Sequence, residues 1–390
     1  MDFKQERKII VSCAYRIAPW LLQEVLALGY ADARQFKTGV ELTGTMQDCI
    51  RLCLNVRTAS QVYFSVKKFV ARNADDLYNS ISEVAWEDII PGNGYFSITS
   101  NVRNETIDNN LFANVKVKDS IADRLRSKTG SRPDSGPALN KTVLYLFWQD
   151  ELAEIFIDAA GETLSKHGYR KIPGKAPMME SLAAANIIAS GWDGTSNFIN
   201  PMCGSGTLAI EAALIASGKT PGLFRDNYGF MHVQGYDASL YGQALDELKE
   251  NRRSVKNLRI IASDISEDAV NIAKINAGIA GVEKLITFQQ CDFAETEVPQ
   301  QNKGMIYFNP EYGDRLGEEI ELSATYRRMG DFLKQKCKGY KGYIFTGNLE
   351  LAKKIGLKPA RRIEFFNGKI DCRLLEYDLW EGSQHNAEMA

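Results

Sequence analysis

The residue types best suited to chemistry stand in one short segment, Asn-Pro-Glu-Tyr-Gly at 309–313, directly after the apolar run 305–308. An exocyclic amine of a nucleobase is a poor nucleophile because its lone pair is delocalised into the ring. The Asn309 side-chain oxygen and the Pro310 carbonyl can accept from the N–H bonds of such an amine, while Tyr312 stacks on the base. Asn-Pro and Tyr-Gly also favour ordinary turns, so a plain β-turn is the alternative. The position of the segment at a strand end favours a base-holding loop.

A glycine-containing turn is the second candidate. Residues 204–207 read Gly-Ser-Gly-Thr, follow the strand-like run 198–200 and precede a long apolar helix-like run. The glycines let the backbone approach a ligand closely, and the helix start offers free N–H groups. No Gly-Lys-Ser/Thr follows, which excludes a Walker A loop, and Ala209 stands where GxGxxG needs its third glycine. Gly-x-Gly alone also fits a structural turn.

Acidic residues follow the next two strand-like runs. Asp264 comes after 259–263, where a carboxylate can accept both hydroxyls of a ribose. Asp292 comes after 286–291, where an acid can accept from the amine of adenine, with Phe293 as an apolar wall. Each acid alone also fits a turn or a helix cap. Together with the glycine turn, the two acids predict a nucleoside cofactor.

These candidates require a sheet whose strand ends meet at one edge. From about residue 166, strand-like and helix-like runs alternate, which is typical of parallel βαβ units in a doubly wound α/β sheet. Ligands of such sheets lie at the carboxyl ends of the strands. The strand-like runs are 198–200, 259–263, 286–291, 305–308, 342–346, 361–365 and 372–379, with a helix over 267–280.

The first 160 or so residues predict a separate α+β or α/β module. Strand-like runs occupy 9–15, 61–66, 95–99, 142–148 and 152–157, the last two as a hairpin. Helix-like runs occupy 19–28, 46–59, 75–88 and 111–127, and a glycine- and proline-rich loop spans 130–137.

Length and composition fit a globular protein of two or three domains. The chain has 390 residues, 44% hydrophobic and 25% charged, and no apolar run near the roughly 18 residues that a membrane span needs. Because the first residues lack the apolar core of a signal peptide, we expect a cytoplasmic protein. Seven cysteines, of which only Cys49 and Cys53 are close in sequence, and three histidines predict reduced thiols and no metal site.

The net charge of -2 hides an uneven distribution. Residues 116–141 carry seven basic and three acidic side chains, 166–175 carry four basic and no acidic ones, and 353–373 carry seven against two. A solvated surface explains any single basic stretch, but three in one chain favour a polyanionic partner. The basic candidates for contact with such a partner are Lys116, Lys118, Arg124, Arg126, Lys166 and Arg170.

The chain as a whole resembles the THUMP-domain-containing, class I S-adenosylmethionine-dependent methyltransferases that modify guanine N2 in 23S rRNA. It is most similar to the N-terminal half of the long bifunctional bacterial members. The segments that carry the resemblance cover nearly the full length in matching order. They are KVKDSIADRL (116–125), GETLSKHGYR (161–170), APMMESLAAA (176–185), PMCGSGTLAIEAALIA (201–216), TPGLFR (220–225), SDISEDAV (263–270), NPEYGDRL (309–316) and NGKIDCRLLEY (367–377).

The resemblance implies a ferredoxin-like region (1–62), a THUMP RNA-binding domain (63–160, or from about 44) and a Rossmann-like methyltransferase domain (166–384). It implies S-adenosylmethionine as cofactor and structured RNA as partner, either 23S rRNA or a large-subunit precursor. Neither a membrane nor an obligate protein partner is expected. Residues implied to hold the cofactor are Glu180, Asn200, Gly204, Ser205, Gly206, Thr207, Asp264, Asp292 and Phe293, and those implied to hold the target base are Asn309, Pro310 and Tyr312.

Two positions depart from the family pattern. Asn200 stands where the family usually has Asp, which removes a charge from the cofactor site, and Glu311 replaces a second proline while leaving the Pro310 carbonyl in place. Three alternatives stay open: adenine-N6 methylation, guanine-N2 methylation of tRNA, and a non-catalytic RNA-binding assembly factor with a vestigial cofactor fold.

Overall fold

Apolar alternation and turn residues divide the chain into fifteen strands and ten helices in the part that the structure describes. The structure is a computed structural model, and it describes residues 1–107, 109–174, 177–311 and 318–381. Tyr312, the predicted base-stacking residue, and Lys175 of the basic stretch 166–175 lie outside the described residues.

The strands are β1 (Arg7–Ser12), β2 (Arg34–Phe36), β3 (Gly39–Gly44), β4 (Gln61–Val70), β5 (Tyr95–Arg103), β6 (Asp134–Ser135), β7 (Thr142–Gln149), β8 (Leu152–Asp158), β9 (Phe198–Pro201), β10 (Ile260–Asp264), β11 (Ile286–Gln290), β12 (Met305–Phe308), β13 (Lys341–Thr346), β14 (Arg361–Asn367) and β15 (Ile370–Asp378). The helices are α1 (Ala18–Ala27), α2 (Met46–Asn55), α3 (Ala74–Ser82), α4 (Asn110–Thr129), α5 (Glu180–Ser190), α6 (Thr207–Ala216), α7 (Ala238–Glu250), α8 (Glu267–Ile279), α9 (Glu318–Lys336) and α10 (Leu349–Lys353). None of these helices, over the described ranges, is long and apolar enough to cross a membrane.

The first eight strands form one continuous sheet in the order β2-β3-β1-β4-β8-β7-β5-β6. β1 pairs antiparallel with β3 and β4, and β4 pairs on its other side with β8. Alternate residues of β1 and β4, such as Val11, Val62 and Phe64, are fully buried, so one face of the sheet contributes to a core. The predicted regions 1–62 and 63–160 therefore share a single sheet through β4.

The second sheet has the order β11-β10-β9-β12-β13-β15-β14. β9 to β13 are parallel, and β15 is antiparallel to both of its neighbours, which confirms the predicted mostly parallel doubly wound sheet. Ile199, Ile261 and Ile306 on its central strands are fully buried, as expected for a parallel sheet covered on both faces. The strand order reverses at β9, so the carboxyl ends of β9, β10 and β12 form the crevice where ligands of such sheets bind.

The chain divides into two compact units that do not follow its linear order. Unit 1 comprises residues 1–14, 21–165 and 221–250, and unit 2 comprises residues 15–20, 166–220 and 251 onward. The segment 221–250 lies within the predicted methyltransferase domain, yet it packs in unit 1. A Cβ on Gly222 would lie 2.5 Å from the Leu54 carbonyl oxygen, so this close approach requires glycine. The Phe230 amide donates to the Ala159 carbonyl at 3.0 Å.

The helix predicted over 75–88 is interrupted. α3 ends at Ser82, and a single 3₁₀ turn covers Trp86–Asp88. Trp86 is fully buried, and its indole N–H donates to the Ile81 carbonyl at 2.8 Å. Burial of this large side chain turns the backbone inward, which local periodicity does not reveal. The hairpin β2–β3 and helix α7 were not predicted.

Asp158, at the end of β8, is a carboxylate buried in unit 1. It accepts from the amides of Ala160 (3.0 Å) and Gly161 (3.1 Å) and from the Gln61 side chain (2.6 Å). Burial raises the pKa of Asp158 from 3.8 to about 7, although these hydrogen bonds and the charge of Arg225 favour the ionised form. The folded chain therefore holds a proton that the unfolded chain releases between these two pH values.

We expect Asp158→Asn to change how stability depends on pH. The protonated carboxyl stabilises the fold fully below pH 4, and this contribution disappears as the pH rises through about 7. The free energy of unfolding of the variant, relative to wild type, should therefore increase by up to about 4 kcal/mol between pH 4 and pH 8. Urea denaturation across this pH range measures the difference, and parallel pH curves for the two proteins would contradict it.

Candidate functional site

The turn between β9 and α6 brings backbone, rather than side chains, to the carboxyl edge of the second sheet. Met202, Gly204 and Gly206 have positive φ angles of 58°, 53° and 81°. A Cβ on Gly206 would lie 2.8 Å from the Ala273 Cβ on α8, so only glycine fits there. Helix α6 begins at Thr207, directly after this turn, and its first N–H groups point toward the same edge.

Asp264 connects this turn to the next strand. One carboxylate oxygen accepts from the Gly204 amide at 2.9 Å and the other from the Ser266 amide at 3.0 Å. The Cys203 amide donates to the Ser263 carbonyl at 2.8 Å, which aligns the ends of β9 and β10. The structure thus brings together the glycine turn and the first predicted acid, and binding of a ribose by Asp264 stays a prediction.

Asp292 is held by a cation that the sequence analysis missed. Its carboxylate accepts from Arg328 on α9 at 2.7 Å and from the Ala294 amide at 2.9 Å. Partial burial alone would raise the pKa of Asp292, but the hydrogen bonds from Arg328 and Ala294, with the Arg328 charge, lower it. Phe293 is only 6% exposed and packs edge-on against Phe308, with ring centroids 5.8 Å apart. It therefore lies in the core beneath the predicted adenine site, and its contact with adenine stays a prediction.

Asn200 links the strand of the glycine turn to the strand of the base-holding motif. It is fully buried, and its amide nitrogen donates to the Tyr307 carbonyl at 3.0 Å and the Pro201 carbonyl at 3.3 Å. An ionised aspartate at this position would place a carboxylate oxygen beside the Tyr307 carbonyl oxygen. The two oxygens would repel each other, because both are acceptors and neither carries a proton. Among the described residues, the Asn200 side-chain oxygen has no hydrogen-bond partner. A buried acceptor of this kind fits a donor on a bound ligand.

The Asn-Pro motif follows β12, with Asn309 half-buried and Pro310 buried. Next along the chain, the Glu311 carbonyl accepts from the Tyr326 hydroxyl of α9 at 3.3 Å. That hydroxyl also lies 3.0 Å from the Thr346 hydroxyl at the end of β13. The Tyr326 hydroxyl thus holds the carbonyl that follows the Asn-Pro pair, and the sequence around Tyr326 gave no indication of this role.

Arg170, one of the predicted RNA contacts, makes several hydrogen bonds inside unit 2. Its side chain is 10% exposed and donates to Glu180 at 2.8 Å, to the Met178 carbonyl at 2.6 Å and to Thr207 at 3.2 Å. These bonds tie the start of α5 to the start of α6. Burial raises the pKa of Glu180, and the Arg170 charge opposes this shift. The guanidinium thus has three partners inside unit 2, and its contact with RNA stays a prediction.

A buried polar cluster on α6 was also missed. One oxygen of Glu211 accepts from the Tyr169 hydroxyl at 2.7 Å and lies 2.7 Å from His167 Nδ1. All three side chains are fully buried. The signal was present in the sequence, because Glu211 is the one acid in the apolar run LAIEAALIA. The cluster anchors the segment before α5 to the helix that begins at the glycine turn.

Comparison with known sequences decides the family to which this chain belongs. The family described as RMKL-like, methyltransferase domain matches residues 167–376. The chain belongs to this RMKL-like family. A THUMP domain matches residues 71–154, and the family described as the RlmL ferredoxin-like domain matches residues 8–63.

The RMKL-like chain has relatives named ribosomal RNA large subunit methyltransferase K/L. The protein from Syntrophotalea carbinolica is 33% identical over 383 residues, which cover 96% of this chain and 54% of the relative. The protein from Psychromonas ingrahamii is 34% identical over 377 residues, covering 94% and 49%. This chain therefore spans about half the length of these curated relatives.

Solved structures share the fold of the RMKL-like chain. SMU.472, a candidate methyltransferase solved in complex with SAH, superposes with a TM-score of 0.87 at 24% identity, covering 97% of this chain and 100% of that one. A protein of Listeria monocytogenes str. 4b F2365, named as a predicted N6-adenine-specific DNA methylase, has a TM-score of 0.87 at 27% identity, covering 96% and 97%.

S-adenosylmethionine is the methyl donor of the RMKL-like family, and the residues of this site fit it. The unpartnered oxygen of buried Asn200 can accept a hydrogen bond from a ligand. The carboxylates of Asp264 and Asp292 stand at neighbouring strand ends, where hydroxyl and amine groups of a nucleoside can donate to them. At Gly204, no described atom beyond its two chain neighbours lies within 4 Å of the place a Cβ would take, so a ligand can approach the backbone of the turn there.

Arg124 on α4, another predicted RNA contact, is paired inside unit 1, and its contact with RNA stays a prediction. It donates to both carboxylate oxygens of Glu87, at 2.9 and 2.7 Å, and to the Ser82 carbonyl at 2.8 Å. A bidentate pair of this kind satisfies the guanidinium and ties α4 to the chain after α3. The other basic candidates stay predictions: Lys116 and Lys118 are half-buried, and Arg126 and Lys166 are exposed.

Proposed function

We propose that this chain transfers a methyl group from S-adenosylmethionine to the exocyclic N2 amine of a guanine in 23S rRNA, free or within a large-subunit precursor. The observation that carries the proposal is the Asn309-Pro310 motif at the end of β12, beside the strand that leads into the glycine turn. The names of the large-subunit rRNA methyltransferase relatives support the RNA class. The match to a THUMP domain in unit 1 supports RNA binding.

The cofactor supplies an electrophilic methyl group on a sulfonium. The Asn309 side-chain oxygen and the Pro310 carbonyl accept hydrogen bonds from the two N–H groups of the amine. These hydrogen bonds turn the lone pair of the amine nitrogen out of the plane of the base. The Tyr326 hydroxyl donates to the Glu311 carbonyl, which holds the backbone directly after Pro310. Glu311 is exposed and directly follows Pro310, so its carboxylate can take up the proton that the amine releases on methylation.

Adenine-N6 methylation is the second candidate. The Listeria structure, 27% identical, is named as a predicted N6-adenine-specific DNA methylase. The chemistry of an Asn-Pro pair suits either amine, because both are exocyclic and conjugated with the ring.

Methylation of rRNA fragments with labelled cofactor, followed by digestion and mass spectrometry of nucleosides, tests the proposal. We expect N2-methylguanosine from 23S rRNA, formed at an initial rate lower by a factor of about 10²–10³ with the Asn309→Ala variant as the matched control. N6-methyladenosine would favour the second candidate. Cofactor binding without methyl transfer to rRNA, tRNA or precursor particles would favour a non-catalytic assembly factor.

The basic face of α4 gives a separate prediction about RNA affinity. Lys116, Lys118 and Arg126 should be replaced together by alanine. The slope of log affinity against log salt concentration should then decrease in magnitude by about 2 to 3, because each lost phosphate contact removes nearly one released counterion. Filter binding at several salt concentrations measures the slope.

Arg124→Ala provides the matched control for this prediction. Its charge is already neutralised by Glu87, so the slope should stay unchanged while the free energy of unfolding falls. Equal slopes for the triple variant and wild type would show that the face of α4 is solvated surface.

A further inference from the structure

Unit 1 contains a pocket that the proposed reaction does not use. Its cavity volume is about 360 Å³, and its walls include Asn93, Tyr95, Asp134, Lys141, Met231 and His232. This volume is at the small end for ligand pockets and suits one mononucleotide-sized group. Asn93, Asp134 and Lys141 are exposed, so the mouth of the pocket is open to solvent.

The wall formed by the segment 229–233 is held rigidly. The Gly229 amide donates to the Ala160 carbonyl at 3.2 Å, and the Thr142 hydroxyl donates to the His232 carbonyl at 2.7 Å. The Asn227 side-chain nitrogen donates to the Asn140 carbonyl at 3.1 Å. Since these bonds fix the pocket before any ligand arrives, binding needs little additional ordering of the protein.

The polar groups of the pocket match the edge of a base and its phosphate. His232 Nε2 lies 2.6 Å from the Asn227 side-chain oxygen, so a neutral ring carries its proton there and presents Nδ1 as an acceptor. Burial, followed by the nearby Lys141 charge, lowers the pKa of His232, which keeps the ring neutral. Asn93 offers both a donor and an acceptor, Asp134 an acceptor, and Lys141 a cation for phosphate. Tyr95 and Met231 supply apolar surface for the face of a base.

We infer that this pocket takes one unpaired nucleotide of the RNA substrate, with its base against Tyr95 and Met231 and its phosphate at Lys141. Sequence-specific recognition of RNA commonly uses such splayed bases, because side chains cannot read the deep, narrow major groove of paired RNA. The inference rests on the proposed RNA substrate. It adds that the protein distinguishes single-stranded from paired RNA through unit 1.

The test measures binding of the full chain to two RNAs without cofactor: a hairpin with an unpaired loop and a fully paired duplex of equal charge. Met231→Trp fills the pocket without altering charge, and it should weaken hairpin binding by about tenfold, the loss expected for one stacked base, while duplex binding stays unchanged. Lys141→Ala should weaken hairpin binding and reduce its salt slope by about one. Lys68→Ala is the matched control, because Lys68 is an exposed lysine of β4 outside the named walls of the pocket. It should not weaken hairpin binding relative to duplex binding.

Photo-crosslinking with 4-thiouridine in the hairpin loop gives a readout that does not depend on folding of a variant. We expect a crosslinked peptide containing Tyr95 or Met231. Wild-type hairpin affinity in both pocket variants, or crosslinks confined to other peptides, would overturn the inference. Because no cofactor is present, this failure is distinguishable from failure of the proposed function, which would appear as RNA binding without methylated product.

Discussion

Replacing Asn309 by alanine should lower the rate constant of methyl transfer by a factor of about 10²–10³, the effect of deleting one preorganised polar group at a reacting centre. Affinity for S-adenosylmethionine and for RNA should remain close to wild type. The reason is that the Asn309 oxygen matters most when the amine pyramidalises, so its contribution belongs to the transition state rather than to the ground state. Single-turnover kinetics with labelled cofactor and an rRNA fragment measure this rate constant directly.

Glu311→Gln gives a contrasting variant in the same loop. It retains the backbone carbonyl that Tyr326 binds and removes only the carboxylate. If Glu311 accepts the released proton, this variant should slow turnover most at low pH, where loss of the proton to solvent is least favourable. Full activity of the Asn309→Ala variant would refute the proposed mechanism, whatever the behaviour of Glu311→Gln.

The second large effect concerns cofactor binding. Asp264→Ala should weaken binding of S-adenosylmethionine by roughly 10²-fold or more, because hydrogen bonds to a charged group contribute about 1.5–3 kcal/mol each and a ribose offers two. The same change leaves the amides of Gly204 and Ser266 without their carboxylate partner, which loosens the glycine turn. Isothermal titration calorimetry with the cofactor and with its demethylated product measures the change.

Asp264→Asn separates these two contributions. The amide oxygen can still accept from one backbone N–H, while the nitrogen offers no lone pair to a ribose hydroxyl. We therefore expect an intermediate affinity and an unfolding temperature closer to wild type than that of Asp264→Ala. Wild-type cofactor affinity in both variants, with the fold intact, would show that the ribose binds elsewhere.

The site could be predicted from sequence wherever the position of a residue follows from the chain itself. Asp264 is the last residue of β10, and Asn309 comes directly after β12. Because parallel strands align their carboxyl ends, residues that follow such strands must meet at one edge. The order of the motifs along the chain and the alternation of strands and helices were therefore sufficient to predict the doubly wound sheet and which of these residues lie at its carboxyl edge.

Only the tertiary structure decided which basic side chains are paired with acidic side chains of the same chain. In the sequence, Arg124 and Arg170 do not differ from the other basic residues of their stretches. In the structure, Arg124 pairs with Glu87, 37 residues away, and Arg170 forms an ion pair with Glu180. The tertiary structure also placed the segment 221–250 in unit 1. It brought Asn200 on β9 within hydrogen-bonding distance of the Tyr307 carbonyl on the neighbouring strand β12. Periodicity and composition report only the local backbone and the side of an element that is buried. Pairing of a charge or an amide depends on which distant atoms the packing of whole elements brings within about 3 Å, the range of a hydrogen bond.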